Sequence, residues 1–306
     1  MNRIAASPPP LFILGHWRSG TTLLHSLLAR DLRFVAPTNY QTLFPSHFLL
    51  TERIAARITA RFMPATRPAD NIRFTWNAPA EDEIATLVLT GLSPYRDIAL
   101  SSATREPLPN TPEQWSHWTN QWLNFLRKLQ VPLAQPRRPL LKSPTHTGRI
   151  PRLLRLFPDA QFIYIIRNPY DVFASTRHLY HVLAASNNLG RPRPIDYDNE
   201  ILHNYQQFYH AYHLHRALIP RNRCCEVRFE DLEADPVTIL QSIYERLELD
   251  GFEDFKREIE PMLPEHRAYR KNHFTLSDET RALVYDNWKP AFRRYGYSPD
   301  PSAHPL

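Results

Sequence analysis

The chain has 306 residues, 42% hydrophobic and 22% charged, enough for one large globular domain or two small ones. Its 29 prolines and only 7 glycines, against usual levels of roughly 5% and 7%, exclude collagen and Gly/Ser linker sequence and point to helices with sharp ends. The net charge of +6, from 37 Lys and Arg against 31 Asp and Glu, fits an anionic ligand; scattered arginines, with no basic run of five, suit a compact anion better than nucleic acid.

The N-terminal MNRIAASPPP lacks the apolar core of a signal peptide, and the longest apolar stretch, IATLVLTGL, is too short to cross a bilayer. A cytoplasmic protein without a transmembrane segment is therefore expected. The first strand, Leu11 to Gly15, leads through a tight turn into a helix from Thr21 to Arg30. Gly15 and Gly20 frame that turn, GHWRSGTT, with the GxxxxG spacing of a phosphate loop. Amides at such a turn and at the helix N-terminus can hold an anion. Where a nucleoside-triphosphate loop continues with Lys and Ser/Thr, this chain has Thr21 and Thr22, and the cation, Arg18, stands inside the loop beside Ser19.

The region from Gln41 to Lys128 shows helical stretches near Glu52–Phe62, Glu81–Leu92 and Pro112–Lys128 and no strand, so it reads as a helical insertion. Its Trp76, Trp115, Trp118 and Trp122 are expected to shape a substrate pocket. Strand–helix units then resume. PLLK (Pro139–Lys142) precedes a helix starting near Pro151, and QFIYIIR (Gln161–Arg167) precedes one over Pro169–Leu183, with Asn168 as its cap. CCEVRF (Cys224–Phe229) is a fourth strand, followed by a helix over Val237–Leu247. Adjacent Cys224 and Cys225 are poorly placed to bridge each other, so no disulfide and a reducing compartment are expected. Alternating strands and helices indicate an α/β domain with a parallel sheet, whose ligands lie at the carboxyl ends of the strands. Arg167 emerges at that edge, and Ser175 lies on the helix face capped by Asn168, a suitable grip for a phosphate. The competing reading pairs Arg167 with Asp171 and leaves Ser175 as a small packing residue. His203, His210, His213 and His215 lack a carboxylate or cysteine to complete a metal set, and their segment reads as an amphipathic helix.

LFILGHWRSGTTLLHSLL resembles the 5′-phosphosulfate loop of the PAPS-dependent sulfotransferases, and the likeness runs along most of the chain. KSPTHTGRIPRLLRLFPDAQFIYIIRNPYDVFAST resembles that family's central block, which implies that Arg167 and Ser175 grip the 3′-phosphate of the nucleotide. VRFEDLEADP resembles the YEDL segment, with Phe229 where a Tyr is common. YRKNHFT resembles the late segment that closes over the nucleotide, which implies contacts from Arg270, Lys271 and Asn272. PAEDEIATLVL resembles the bacterial-type enzymes. The implied fold is a P-loop-like three-layer α/β fold with a short central parallel sheet flanked by helices, formed by residues 1–306 as one domain with an insertion over 41–130 shaping the acceptor site.

The implied reaction is in-line transfer of a sulfonyl group from PAPS to a hydroxyl acceptor, with PAP as product and no metal. The acceptor would be a small molecule, lipid or carbohydrate. The loop with Arg18, Ser19, Gly20, Thr21 and Thr22 would hold the 5′ end of the donor, and Lys142 would reach the bridging oxygen. The base is Glu81 or Glu83, ranked above His146; acidic residues in a helix's first turn are also favoured by its dipole. His16 is expected to shape the loop. The motifs leave two other readings: a P-loop kinase or nucleotide hydrolase, and a non-catalytic anion-binding protein.

Overall fold

The computed structural model describes residues 8–59, 74–96, 109–187, 196–264, 272 and 274–300. Its core is a parallel sheet of five strands: β1 (Leu11–Leu14), β2 (Phe34–Val35), β3 (Arg138–Lys142), β4 (Gln161–Ile166) and β5 (Cys224–Arg228), in the order β2-β3-β1-β4-β5. β1 is central, with Phe12 level with Leu141 of β3 and Phe162 of β4. Parallel strands are covered on both faces and read as continuous apolar runs; LFIL and QFIYII are such runs, and all of β1 is buried. β2, absent from the sequence reading, pairs with the first two residues of β3.

Successive strand residues point to opposite faces, and each face has its own core. Leu11, Ile13, Leu140, Ile163, Ile165, Cys225 and Val227 face one cluster with α1 (Thr21–Leu28). Phe12, Leu14, Leu141, Phe162, Tyr164 and Cys224 face the other. Both cysteines are free and buried, on opposite sides of β5.

Short helices α2 (Asn39–Leu43) and α3 (Phe48–Thr59) follow β2, then α4 (Asp82–Thr90) and α5 (Pro112–Gln130). On α5 the stripe Trp118, Trp122, Phe125, Leu126 and Leu129 turns to the sheet. Trp118 and Trp122 are thus fully buried, Trp76 packs edge-on to Tyr40, and Trp115 stacks on Arg152. These tryptophans build core, where the sequence suggested a pocket.

After β3 a 3₁₀ turn (Pro144–Arg149) leads into α6 (Ile150–Leu156); α7 (Pro169–Asn187) and α8 (Tyr197–His215) follow β4. On α8, His213 meets the Tyr295 hydroxyl at 2.8 Å and His203 the Gln207 amide at 2.7 Å. β5 is followed by α9 (Phe229–Ala234), α10 (Pro236–Arg246), α11 (Phe252–Ile259) and α12 (Asp278–Tyr295). The sequence reading left α11 and α12 unplaced. Pro290 kinks α12 at Trp288, whose ring then stacks on Tyr205 at 3.9 Å. Among the described residues no helix is long and apolar enough to cross a membrane.

Candidate active site

The loop from Gly15 to Gly20 leaves the carboxyl end of central β1, where ligands bind in such sheets. Both glycines are required. Gly15 has φ +151° and a Cβ there would meet the Ser19 hydroxyl at 2.7 Å; Gly20 has φ +99° and a Cβ would meet the Phe229 ring at 2.1 Å. Arg18 sits at φ +65°, a costly backbone for a non-glycine residue, and three contacts hold the loop around it. Its Nε donates to Ser175 Oγ at 2.8 Å, its carbonyl accepts from Arg167 Nη1 at 3.0 Å, and Ser19 Oγ donates to the His16 carbonyl at 2.7 Å. Thr147 adds two bonds to the Gly15 backbone, at 3.0 and 3.1 Å. Burial holds His16 down to about 4, so it is neutral and donates from Nδ1 to the Trp17 carbonyl at 2.8 Å.

The first amides of a helix have no acceptor within it, and Gly20, the residue before α1, supplies no side-chain cap. Those amides, with Thr21 and Thr22 in the helix's first turn, make a cradle that could hold an anion. Beside it, the guanidinium of Arg167 lies 4.4 Å from the centre of the Phe229 ring, with Nε buried and without a hydrogen-bond partner among the described residues. Burial lowers its pKa against the opposing pull of Asp171 and Glu230. The Arg167–Asp171 pair exists, but at 3.7 Å and with Asp171 57% exposed it is a weak solvent-facing contact. Phe229 thus serves as a wall against both Gly20 and Arg167.

Three adjacent acids start α4, and each faces a different way because helical neighbours are about 100° apart. Glu81 points to the loop: Lys142 Nζ reaches its Oε1 at 2.6 Å and lies 3.4 Å from Thr22 Oγ1, while the Tyr95 hydroxyl donates to its Oε2. Tyr95 accepts in turn from Trp17 Nε1 at 3.1 Å. Desolvation and the Glu81 carboxylate push the Tyr95 pKa well up, so it stays a donor.

Asp82 turns inward, accepting from His146 Nε2, Trp122 Nε1 (both 2.8 Å) and Ser143 Oγ (2.9 Å). Burial acts to raise its pKa, but these partners outweigh it and hold the group at about 2. Glu83 is fully buried: Arg149 donates to both its oxygens, Nη2 at 3.0 Å, and Thr145 Oγ1 donates at 2.9 Å. The stretch 142–149 is therefore zipped residue by residue onto 81–83.

Of the three candidate bases, only Glu81 is brought to the loop with Lys142. Glu83 is consumed by Arg149. His146, fully buried, is held by Asp82 and packed 5.3 Å from the Phe12 ring. Both are held in the interior by these partners. Arg18, Ser19, Gly20, Thr21, Thr22, Arg167 and Ser175 gather at the cradle. Arg270 and Lys271 lie outside the described residues. Asn272 is exposed, and nearby Phe274 contacts His178 of α7, with rings 5.2 Å apart. Tyr95, Trp17 and Arg149 are not among the residues expected from sequence, and no local pattern marks them, because their partners Glu81, Tyr95 and Glu83 lie 14, 78 and 66 positions away.

A family model described as "Sulfotransferase family" matches residues 9–254. Proteins named "Omega-hydroxy-beta-dihydromenaquinone-9 sulfotransferase Stf3" from Mycobacterium bovis and Mycobacterium tuberculosis are 36% identical over 311 positions, covering 96% of this chain and 77% of theirs. Among solved structures, the sulfotransferase STF9 from Mycobacterium avium is similar with a TM-score of 0.72 at 20% identity, over 96% of this chain and 78% of that one. STF1 from Mycobacterium tuberculosis follows with 0.69 at 15%, over 94% and 78%. At these identities the two structures speak to the fold, which is the expected P-loop-like α/β arrangement.

Proposed function

The chain belongs to the sulfotransferase family, and from that premise we propose that PAPS is its donor, a lipid-type hydroxyl its acceptor, and Glu81 its base. As a transferase moving a sulfonyl group to a hydroxyl it is neither a kinase nor an inert binding protein. One observation carries the reading: a carboxylate and an ammonium, Glu81 and Lys142, meet at 2.6 Å beside Thr22 of the anion cradle.

The residues present suit the donor. The α1 amides with Arg18, Thr21 and Thr22 take the 5′ end; Arg167 and Ser175 take the 3′-phosphate, and the Nε of Arg167, without a partner among the described residues, offers a donor for it. Arg270, Lys271 and Asn272 extend this grip by their resemblance. PAPS, when bound, supplies the sulfonyl group and departs as PAP. Lys142 is the cation that would meet the negative charge growing on the leaving group, where its charge is of most use. Released from that cation, Glu81 accepts the proton of the acceptor hydroxyl, while Tyr95 keeps the carboxylate aimed. Positive charge comes from Lys142 and the two arginines.

For the acceptor, Trp17, Tyr95 and Phe208 form an aromatic wall next to Glu81, with Trp17 4.9 Å from Phe208 and 5.9 Å from Tyr95. The relative's name gives it a hydroxylated menaquinone as substrate, and an apolar acceptor fits the wall here. We assign residues 41–130 to this acceptor side of a single domain, working in the cytoplasm, where Cys224 and Cys225 stay reduced.

Transfer of labelled sulfonyl from PAPS into a lipid extract, with mass identification of the product, tests the reading; labelling confined to water-soluble compounds would overturn the lipid acceptor. Arg167→Ala is expected to weaken PAP binding about ten- to a hundredfold in calorimetric titration, the worth of one charge-assisted contact. Unchanged affinity would remove Arg167 from the 3′-phosphate site. Tyr95→Phe is expected to lower kcat about tenfold and leave PAP affinity as it was; a matching loss of PAP affinity would instead make Tyr95 part of the donor site through Trp17.

A further inference from the structure

α3 carries an apolar stripe that the described residues leave uncovered. Leu50, Ile54 and Ile58, four residues apart and so on one helical face, are 85%, 68% and 61% exposed, and Leu49 and Leu43 extend the patch at 42% and 39%. The opposite face of α3 is well used. Phe48 is buried against Phe125, Thr51 bonds the Tyr40 hydroxyl at 2.9 Å, and Glu52 accepts from Gln41 Nε2 at 3.1 Å. Glu52 is the only acid in α3, and among its described side chains the charge left outside is the exposed Arg53.

We propose that α3 docks on the surface of an anionic lipid bilayer, with Leu50, Ile54 and Ile58 among the acyl chains and Arg53 among the headgroups. An amphipathic helix with an apolar face and an Arg that can reach up to headgroups has the composition for lying in that interface. Charge favours a bilayer over a second copy of the chain. A two-fold contact through this face would bring two Arg53 side chains into one apolar interface, with no outward carboxylate on α3 to pair them. Position gives the docking a purpose. α3 is bonded to α2 through Thr51 and Tyr40, and α2 in turn to the segment carrying Glu81 by Asn39 N to Ala78 O at 3.0 Å and, just before it, Ala80 N to Pro37 O at 2.8 Å, so a docked α3 holds the acceptor side of the site at the membrane. The proposal rests on the lipid-acceptor reading for that purpose, not for the binding itself.

Flotation of the full chain with vesicles of phosphatidylcholine alone, or with phosphatidylglycerol added, tests it without donor or acceptor. The protein is expected to float with the phosphatidylglycerol vesicles and to be released by salt. Leu50→Glu with Ile54→Glu is expected to cut the floating fraction about tenfold or more while thermal unfolding and PAP affinity stay unchanged. Failure of the unmodified chain to float, equal flotation of the variant, or a dimer that the variant makes monomeric would each overturn the docking. Turnover of a dispersed lipid without flotation removes the docking alone; flotation without sulfonation of any lipid hydroxyl upholds it and removes the acceptor reading alone.

Discussion

Glu81→Gln is expected to lower kcat by about 10²- to 10⁴-fold, the usual worth of a positioned general base, while PAP affinity changes little. Gln is nearly isosteric: its one amide oxygen can still accept from Lys142, and its amide nitrogen can donate to the Tyr95 hydroxyl, so the loop keeps its shape; what is lost is the capacity to take a proton. Single-turnover measurement with saturating PAPS separates this step from binding. Loss of less than tenfold would mean that the proton leaves by another route, and would return the role to a group not in contact with Lys142. The same experiment on Glu83→Gln has a different signature, because that side chain has no path to the acceptor. Its activity should fall only in step with the folded fraction.

The ion pair between Glu81 and Lys142 also says something about order. With Lys142 3% and Glu81 20% exposed at the side chain, each partly satisfies the other where water is scarce. A base whose proton-accepting oxygen is taken by a cation is idle. The arrangement ties activation of Glu81 to the moment Lys142 has a better anion to face, which fits a reaction in which donor and acceptor must both be present.

How far the sequence reaches can be argued from these same residues. The four longer strands and the helices after them were legible because apolar runs ending in Gly, Lys, Arg and Phe alternate with amphipathic segments. The two glycines of the loop were legible from their GxxxxG spacing between a strand and a helix, and the structure supplies the reason for glycine: positive φ at both, with Ser19 close to Gly15 and the Phe229 ring close to Gly20. β2 was not, since two residues carry no period, and neither was α12, whose Pro290 reads as a helix stop. Within EDE the three acids look alike on paper. What separates them is a 100° turn per residue and partners about sixty residues away: Lys142, Ser143 and His146, and Arg149. Local pattern could name the acidic cluster but not choose within it. The tryptophans failed for the mirror-image reason, since a stripe on α5 faces a core or a pocket depending on what the sheet offers opposite.

Arg149→Met is expected to cost about 3–5 kcal/mol of stability, as breaking a buried ion pair from one side does, and urea unfolding at neutral pH measures it. Arg149 is 7% and Glu83 0% exposed, and the guanidinium also lies 4.6 Å from the centre of the Trp118 ring; Met keeps much of that packing, so the loss reports on charge. Burial by itself would push the Glu83 carboxyl up, but the Arg149 charge and its hydrogen bonds outweigh burial and hold the group below the usual carboxylate range. A carboxyl depressed by folding stabilises the native state above its unfolded pKa, and that contribution fades as pH falls through its folded value. Without Arg149 burial is left less opposed, the pKa of Glu83 moves the other way, and the variant can escape its unpaired charge by taking up a proton. The gap between the two proteins should therefore be widest near neutrality and narrow as the pH is lowered through the carboxylate range. A gap that stays constant with pH would show that the loss came from packing against Trp118, and adding Glu83→Leu decides the matter: if the pair is the cause, the double variant recovers much of what the single one lost, since two apolar residues leave no buried charge unpaired.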